Sequence, residues 1–168
     1  MAGRDTFQLR FAAVAASAAV LVFLISGEVA EASRMMNICS HTAYPSLCRP
    51  LVKRISNPRK ATHRTIQALE VQTRLALTEA ALFKDGNNAI ATCYSTLSDA
   101  VFNLASARKS IRKRDVMGMN TFLTAAVSDY GTCVDAFIET KQVNTVQNKA
   151  VDLRKIGSNC LTLSTLIS

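Results

Sequence analysis

The sequence predicts an all-α protein, an up-down-up-down four-helix bundle preceded by a short N-terminal helical hairpin and held by two disulfides. Three observations lead there. Four consecutive segments place apolar residues three, four or seven apart, the period of one helix face. No segment alternates apolar and polar residues as a half-buried strand does. Only 6 Gly and 3 Pro interrupt 168 residues, so connections are short, which favours antiparallel neighbours.

Residues 1–32 stand apart from this fold. Arg4 and Arg10 form a charged start, residues 11–25 are apolar or small without a break, and Ala30-Glu31-Ala32 is a small-x-small cleavage pattern. Together these make a secretory signal peptide. A membrane anchor is the alternative, but the apolar run falls short of the roughly 20 residues that a spanning helix needs. Cleavage leaves residues 33–168 as one domain of 136 residues, with 18 Lys and Arg against 9 Asp and Glu. Its net charge of +9 suits solubility and attraction to polyanions. For a secreted protein the polyanion is an acidic polysaccharide, not nucleic acid, and the mature form has no segment for a membrane.

All five cysteines, Cys39, Cys48, Cys93, Cys133 and Cys160, lie in this domain. In an oxidising compartment they read as a disulfide framework with one thiol left over. Two bridges among five cysteines allow fifteen arrangements, and spacing does not choose among them. No C-x-x-C pair or His cluster suggests a metal.

The elements follow in order. Between Cys39 and Cys48, Pro45 opens a small helix, since proline suits the first helical position. Ser56-Asn57-Pro58 then breaks the chain, because the residue before a proline is pushed out of the helical region. The first long segment, residues 61–84, aligns Ile66, Leu69, Thr73, Leu77, Ala80 and Phe83, and Asp85-Gly86-Asn87-Asn88 stops it with turn residues. The second, residues 89–113, carries Ile90, Tyr94, Leu97, Val101, Leu104 and Ile111. The third, residues 115–140, carries Leu123, Val127, Tyr130, Val134, Phe137 and Ile138. The last, residues 146–167, shows Val146, Leu153, Ile156, Cys160, Leu163, Leu166 and Ile167.

Catalysis has little to work with. His41 and His63 lack a Ser, Cys or Asp companion in a catalytic spacing, and no G-x-S-x-G, P-loop or H-E-x-x-H occurs. The expectation is a binding protein without cofactor, metal or catalytic residue.

The informative pieces are the cysteines with their neighbours: Cys39-Ser-His-Thr-Ala-Tyr-Pro-Ser-Leu-Cys48, Cys93-Tyr94, Thr132-Cys133-Val134-Asp135-Ala136-Phe137 and Ser158-Asn159-Cys160-Leu161-Thr162-Leu163. In this order behind a signal peptide they resemble the plant invertase and pectin methylesterase inhibitor family, over the whole mature chain. The resemblance implies pairing of Cys39 with Cys48 and Cys93 with Cys133, leaving Cys160 free. Cys160 also lies in the apolar register of the last helix, the setting of a buried, inert thiol.

Invertase inhibitors of this family often carry Pro-Lys-Phe near the start of the third bundle helix. Residues 115–128 lack it, and Leu123-Thr-Ala-Ala-Val127 is similar to the Leu-Ser-Ala-Ala-Leu of methylesterase inhibitors. The resemblance therefore implies a secreted, apoplastic inhibitor that binds a pectin methylesterase through the face of bundle helices two and three. Acid invertase is the alternative target. On that face Asp99, Thr132 and Asp135 match family positions. The residues themselves form two stripes, Ser95, Asp99 and Phe102, and Ser128, Thr132 and Asp135, each spaced i, i+4, i+7 and offset from the core register. Some relatives have acids where this chain has Ser95 and Phe102; Phe102 is instead a candidate apolar anchor.

The run Arg108-Lys109-Ser110-Ile111-Arg112-Lys113-Arg114 ends the second long segment. Cations there complement the helix dipole, and the sharper alternative is a patch that contacts anionic pectin. A non-inhibitory module for wall polyanions is therefore a further reading. So is the pro-region of a larger methylesterase, against which the sequence stops at Ser168 with no processing site or catalytic domain after it.

Overall fold

A computed structural model describes residues 38–142 and 144–167, and the expected signal peptide lies outside them. A short helix α1 (Pro45–Cys48) follows a helical turn at residues 38–40. Four long helices succeed it: α2 (Pro58–Phe83), α3 (Asn88–Arg112), α4 (Val116–Glu139) and α5 (Thr145–Ser164). A 3-10 turn, Lys84–Gly86, joins α2 to α3. Each long helix packs on its neighbour in sequence, and α5 closes the square against α2. This is the up-down-up-down bundle expected from four stripes and short connections.

The starts and stops have local causes. Every long helix opens on an Asn or Asp whose side chain accepts a backbone N–H of the first turn. Asn57 takes Lys60 N, Asn87 takes Ile90 N, Asp115 takes Gly118 N and Asn144 takes Val146 N. α2 begins three residues earlier than the apolar period suggests, because Pro58 is preorganised for the first helical position behind its Asn57 cap. α3 and α4 end in paired bonds from the two residues after the cap. Arg114 N and Asp115 N donate to Ile111 O and Ser110 O, and Lys141 N and Gln142 N to Ile138 O and Phe137 O. The left-handed residues these endings require are Arg114 (φ 63°) and Lys141 (φ 53°), positions where glycine is usual.

Ile66, Leu69, Leu97, Leu104, Leu123, Tyr130 and Phe137 form the fully buried centre. Two expected core residues are not there. Phe83 is 56% exposed, on a last turn of α2 whose residues 81–83 all face solvent; Ile138 is 61% exposed, because Phe137 fills the core side of that last turn. At Gly157 the contact between α4 and α5 is so close that a Cβ would sit 2.6 Å from Val127 Cγ2.

Several buried polar groups are matched across the bundle. Thr73 Oγ1 donates to Leu69 O (2.8 Å) and stands 2.6 Å from Tyr130 Oη across the bundle. With the threonine proton spent, Tyr130 must be the donor, and burial pushes its phenol well above the usual range. Asn159 of α5 is fully buried and holds the backbone of Tyr44 at both ends, accepting from Tyr44 N (3.0 Å) and donating to Tyr44 O (2.8 Å). Glu70, 5% exposed, pairs with Arg74 (2.9 Å) and Arg108 (3.4 Å). Glu79 ties α2 to Lys149 and Thr145 of α5, and those hydrogen bonds hold its carboxyl below the usual range.

Two disulfides complete the frame. Cys39–Cys48 closes the N-terminal hairpin, which packs Ile38, Val52 and both sulfurs against Ala61 and Leu163. Cys93–Cys133 joins α3 to α4 with their Cα atoms 4.3 Å apart. Cys160 is a free thiol with no solvent exposure, and burial pushes its pKa far up, so it lacks the thiolate that redox chemistry needs. No helix among the described residues is long and apolar enough to cross a membrane.

Candidate functional site

The two polar stripes on α3 and α4 begin from the same constraint. Cys93 and Cys133 are fully buried, so side chains set off from them around each helix emerge at the surface along the α3–α4 seam. Ser95, Asp99 and Phe102 of α3 are all exposed, as are Ser128, Thr132 and Asp135 of α4. Phe102 is 68% exposed, a large apolar side chain among polar ones. The Thr132 hydroxyl donates back to Ser128 O (3.3 Å), leaving its lone pairs outward as acceptors.

Two further residues join the stripes. Asn103 Nδ2 of α3 donates to Asp129 Oδ2 of α4 (2.9 Å), a bond across the seam. Burial raises the pKa of Asp129 most, its Asn103 bond pulls it down, and the charge of Asp99 raises it again. Asp99, Asp129 and Asp135 thus give this seam three carboxylates and no cation among its eight residues, on a chain of net charge +8. Asp129 and Asn103 each follow a stripe residue by one position, on the side turned toward the partner helix. Adjacency to Ser128 and Phe102 is their one mark in the sequence, and it does not show that the two meet.

Asp129→Asn should show this strain. A raised native pKa means that the folded state holds the proton more tightly than the unfolded one. The associated stability is then present below the unfolded pKa and lost as pH rises through the native one. At neutral pH the asparagine variant should therefore be slightly more stable than the parent, by about 0.5 kcal/mol or less for a half-buried carboxylate still screened by solvent. Its advantage should vanish in melts below the carboxylate range. A variant equally or less stable at every pH would show that the Asn103 bond outweighs the burial and repulsion.

No three of His, Cys, Asp and Glu come together among the described residues as a metal site. The seam has the make-up of a docking surface, with exposed acceptors, an exposed aromatic and a rigid base.

Comparison with known proteins agrees in kind. Residues 33–163 match the family model described as plant invertase/pectin methylesterase inhibitor. The chain is 27% identical over 169 residues to pectinesterase inhibitor 1 of Arabidopsis thaliana, covering 95% of this chain and 94% of that one. The fold is that of a crystal structure of a mutant form of a pectin methylesterase inhibitor from Arabidopsis. The two share a TM-score of 0.72 at 23% identity over 80% of this chain and 97% of that one. A second Arabidopsis thaliana inhibitor structure gives 0.64 at 23% identity, over 82% and 98%. With the family model spanning most of its length, this chain belongs to the plant invertase/pectin methylesterase inhibitor family, a family of inhibitors and not of enzymes.

Proposed function

We propose that this chain is a secreted inhibitor of pectin methylesterase, which binds the enzyme one-to-one through the α3–α4 seam and covers its pectin-binding cleft. The observation that carries this reading is the seam itself, an acidic, rigidly bridged strip on an otherwise basic protein. The curated relative's name supports the choice of target. Residues 1–32 would direct the chain out of the cell and be removed, placing the inhibitor in the cell wall. Inhibition is steric exclusion of the polysaccharide, so the inhibitor needs no catalytic group. Asp99, Thr132 and Asp135 set the register by polar contacts, and Phe102 supplies apolar area at one end of the strip.

Titrating a pectin methylesterase with the purified protein tests the reading, with an acid invertase titrated in parallel. Activity of the methylesterase should fall to an end point at one inhibitor per enzyme, and the invertase should be unaffected. Asp99→Ala with Asp135→Ala should weaken inhibition by about tenfold to a hundredfold, the loss of one or two interfacial charge contacts. Both are exposed, so the melting temperature should barely move. Inhibition of the invertase alone would overturn the target, and full potency in the double variant would overturn the seam.

A further inference from the structure

The basic run at the end of α3 does not stand alone. The start of α2 and the end of α3 meet at one end of the bundle around an open pocket of about 300 Å³, lined by Arg59, Lys60, His63, Ile111, Arg112 and Arg114. Five of these six side chains are basic, and none is acidic. The nearest acid in sequence, Asp115, caps α4. Arg59 Nη1 and His63 Nε2 are shielded from solvent and have no hydrogen-bond partner among the described residues. A shielded guanidinium nitrogen without an acceptor costs free energy that a bound anion would recover. Arg112 and Arg114 likewise enter no ion pair among the described residues, whereas Arg108 is spent on Glu70. Burial and the charges of Arg112 and Arg108 hold His63 below its ordinary range, which reports the positive field at this point.

We infer that this pocket is a carboxylate-binding site that takes a uronate unit of an acidic polysaccharide, with Arg59 and Arg112 gripping the carboxylate from two helices. The fork geometry of arginine matches a carboxylate in two parallel bonds. The choice of uronate rests on the methylesterase reading, since removing a methyl ester from pectin exposes this group. The site lies about 20 Å along α3 from Asp99, by helical rise. A protein bound to the seam and a uronate bound here therefore do not compete for the same side chains.

The test is calorimetric titration of the processed protein with de-esterified oligogalacturonate, fully methyl-esterified oligomer, and inorganic phosphate, at about 0.15 M salt, where long-range attraction is screened. Binding is expected for the de-esterified oligomer, with the esterified oligomer and phosphate each at least about tenfold weaker. Arg59→Gln with Arg112→Gln should lose about tenfold or more. Lys53→Gln with Lys109→Gln, which removes the same charge from exposed positions outside the pocket, should lose little. Arg112→Glu, a single change at an exposed site, repeats the test if the Arg59 variant folds poorly. Equal binding of the esterified oligomer or of phosphate, or equal loss in the lysine control, would overturn the inference. Methylesterase titration of the same variants separates the two readings. Uronate binding without inhibition leaves the pocket and removes the methylesterase, while inhibition without uronate binding does the reverse.

Discussion

Cys93→Ala combined with Cys133→Ala should cost about 4 kcal/mol of stability. The bridge spans 40 residues of sequence, and chain-entropy reasoning gives about that figure for the freedom its loss returns to the unfolded chain. Both cysteines are fully buried, so two alanines also leave a small void in the core. The comparison variant, Cys39→Ala with Cys48→Ala, opens a loop of separation 9 and should lose about 3 kcal/mol on the same reasoning. Urea denaturation midpoints with unchanged slopes would measure both losses. The first variant should also weaken inhibition beyond its stability loss, because the seam is then held only by packing and the Asn103–Asp129 bond. A loss under about 1 kcal/mol would mean that α3 and α4 stay paired in the unfolded ensemble, against the entropic reasoning.

Asn159→Leu is the second large effect. Leucine keeps asparagine's branch point with more bulk, so the change removes polar partners without opening a cavity. It strands Tyr44 N–H, now met by Asn159, while Tyr44 C=O loses one donor and keeps the N–H groups of Leu47 and Cys48. The stranded N–H costs about 1–3 kcal/mol if it stays dry. The hairpin has a cheaper way out, which is to lift off α5 and hydrate, so the expected total is about 1–3 kcal/mol. Hydrogen exchange should then show early opening confined to residues 38–55, with α3 and α4 still protected. Asn159→Asp makes the argument sharper. The aspartate still accepts from Tyr44 N but sets an oxygen against Tyr44 O, so it should be worse at neutral pH than under acid, where its proton can donate. A variant that opens the whole bundle at once would show that the hairpin is part of the main cooperative unit.

What could be read from the sequence was whatever repeats locally. Helix type follows from a period of three or four residues, so α2 to α5 were visible within a residue or three. The asparagines and the aspartate that cap them stand where such a period begins. Phe83 and Ile138 misled because periodicity ignores which neighbours are present; Phe83 ends its helix, and beside Ile138 the buried Phe137 already takes the core side of the turn. The stripes on α3 and α4 were visible as residue types, but Asp129 and Asn103 were not, since their meeting depends on how two helices are rotated about a shared seam. Asn159 and Tyr44 lie 115 residues apart, and Arg59 and Arg112 lie on different helices. No local pattern joins such pairs. The family resemblance marked Asn159 by its place beside Cys160 but said nothing of what it holds.

The disulfide pattern has a consequence for how the chain can be made. Each bridge joins a cysteine to the next one along, so the two loops neither nest nor cross. As synthesis proceeds from the N-terminus, Cys48 emerges with only Cys39 available to it. Cys133 then emerges with Cys93 as the only thiol still open, provided the first pair has closed. Cys160 follows 27 residues later, when both correct partners can already be committed, and the closing of α5 carries it out of reach. Order of appearance thus selects one of the fifteen arrangements without proofreading. A fully reduced chain released into oxidant all at once loses that guidance. Its refolding yield should depend on added thiol to undo wrong pairs, a dependence that stepwise oxidation during synthesis avoids.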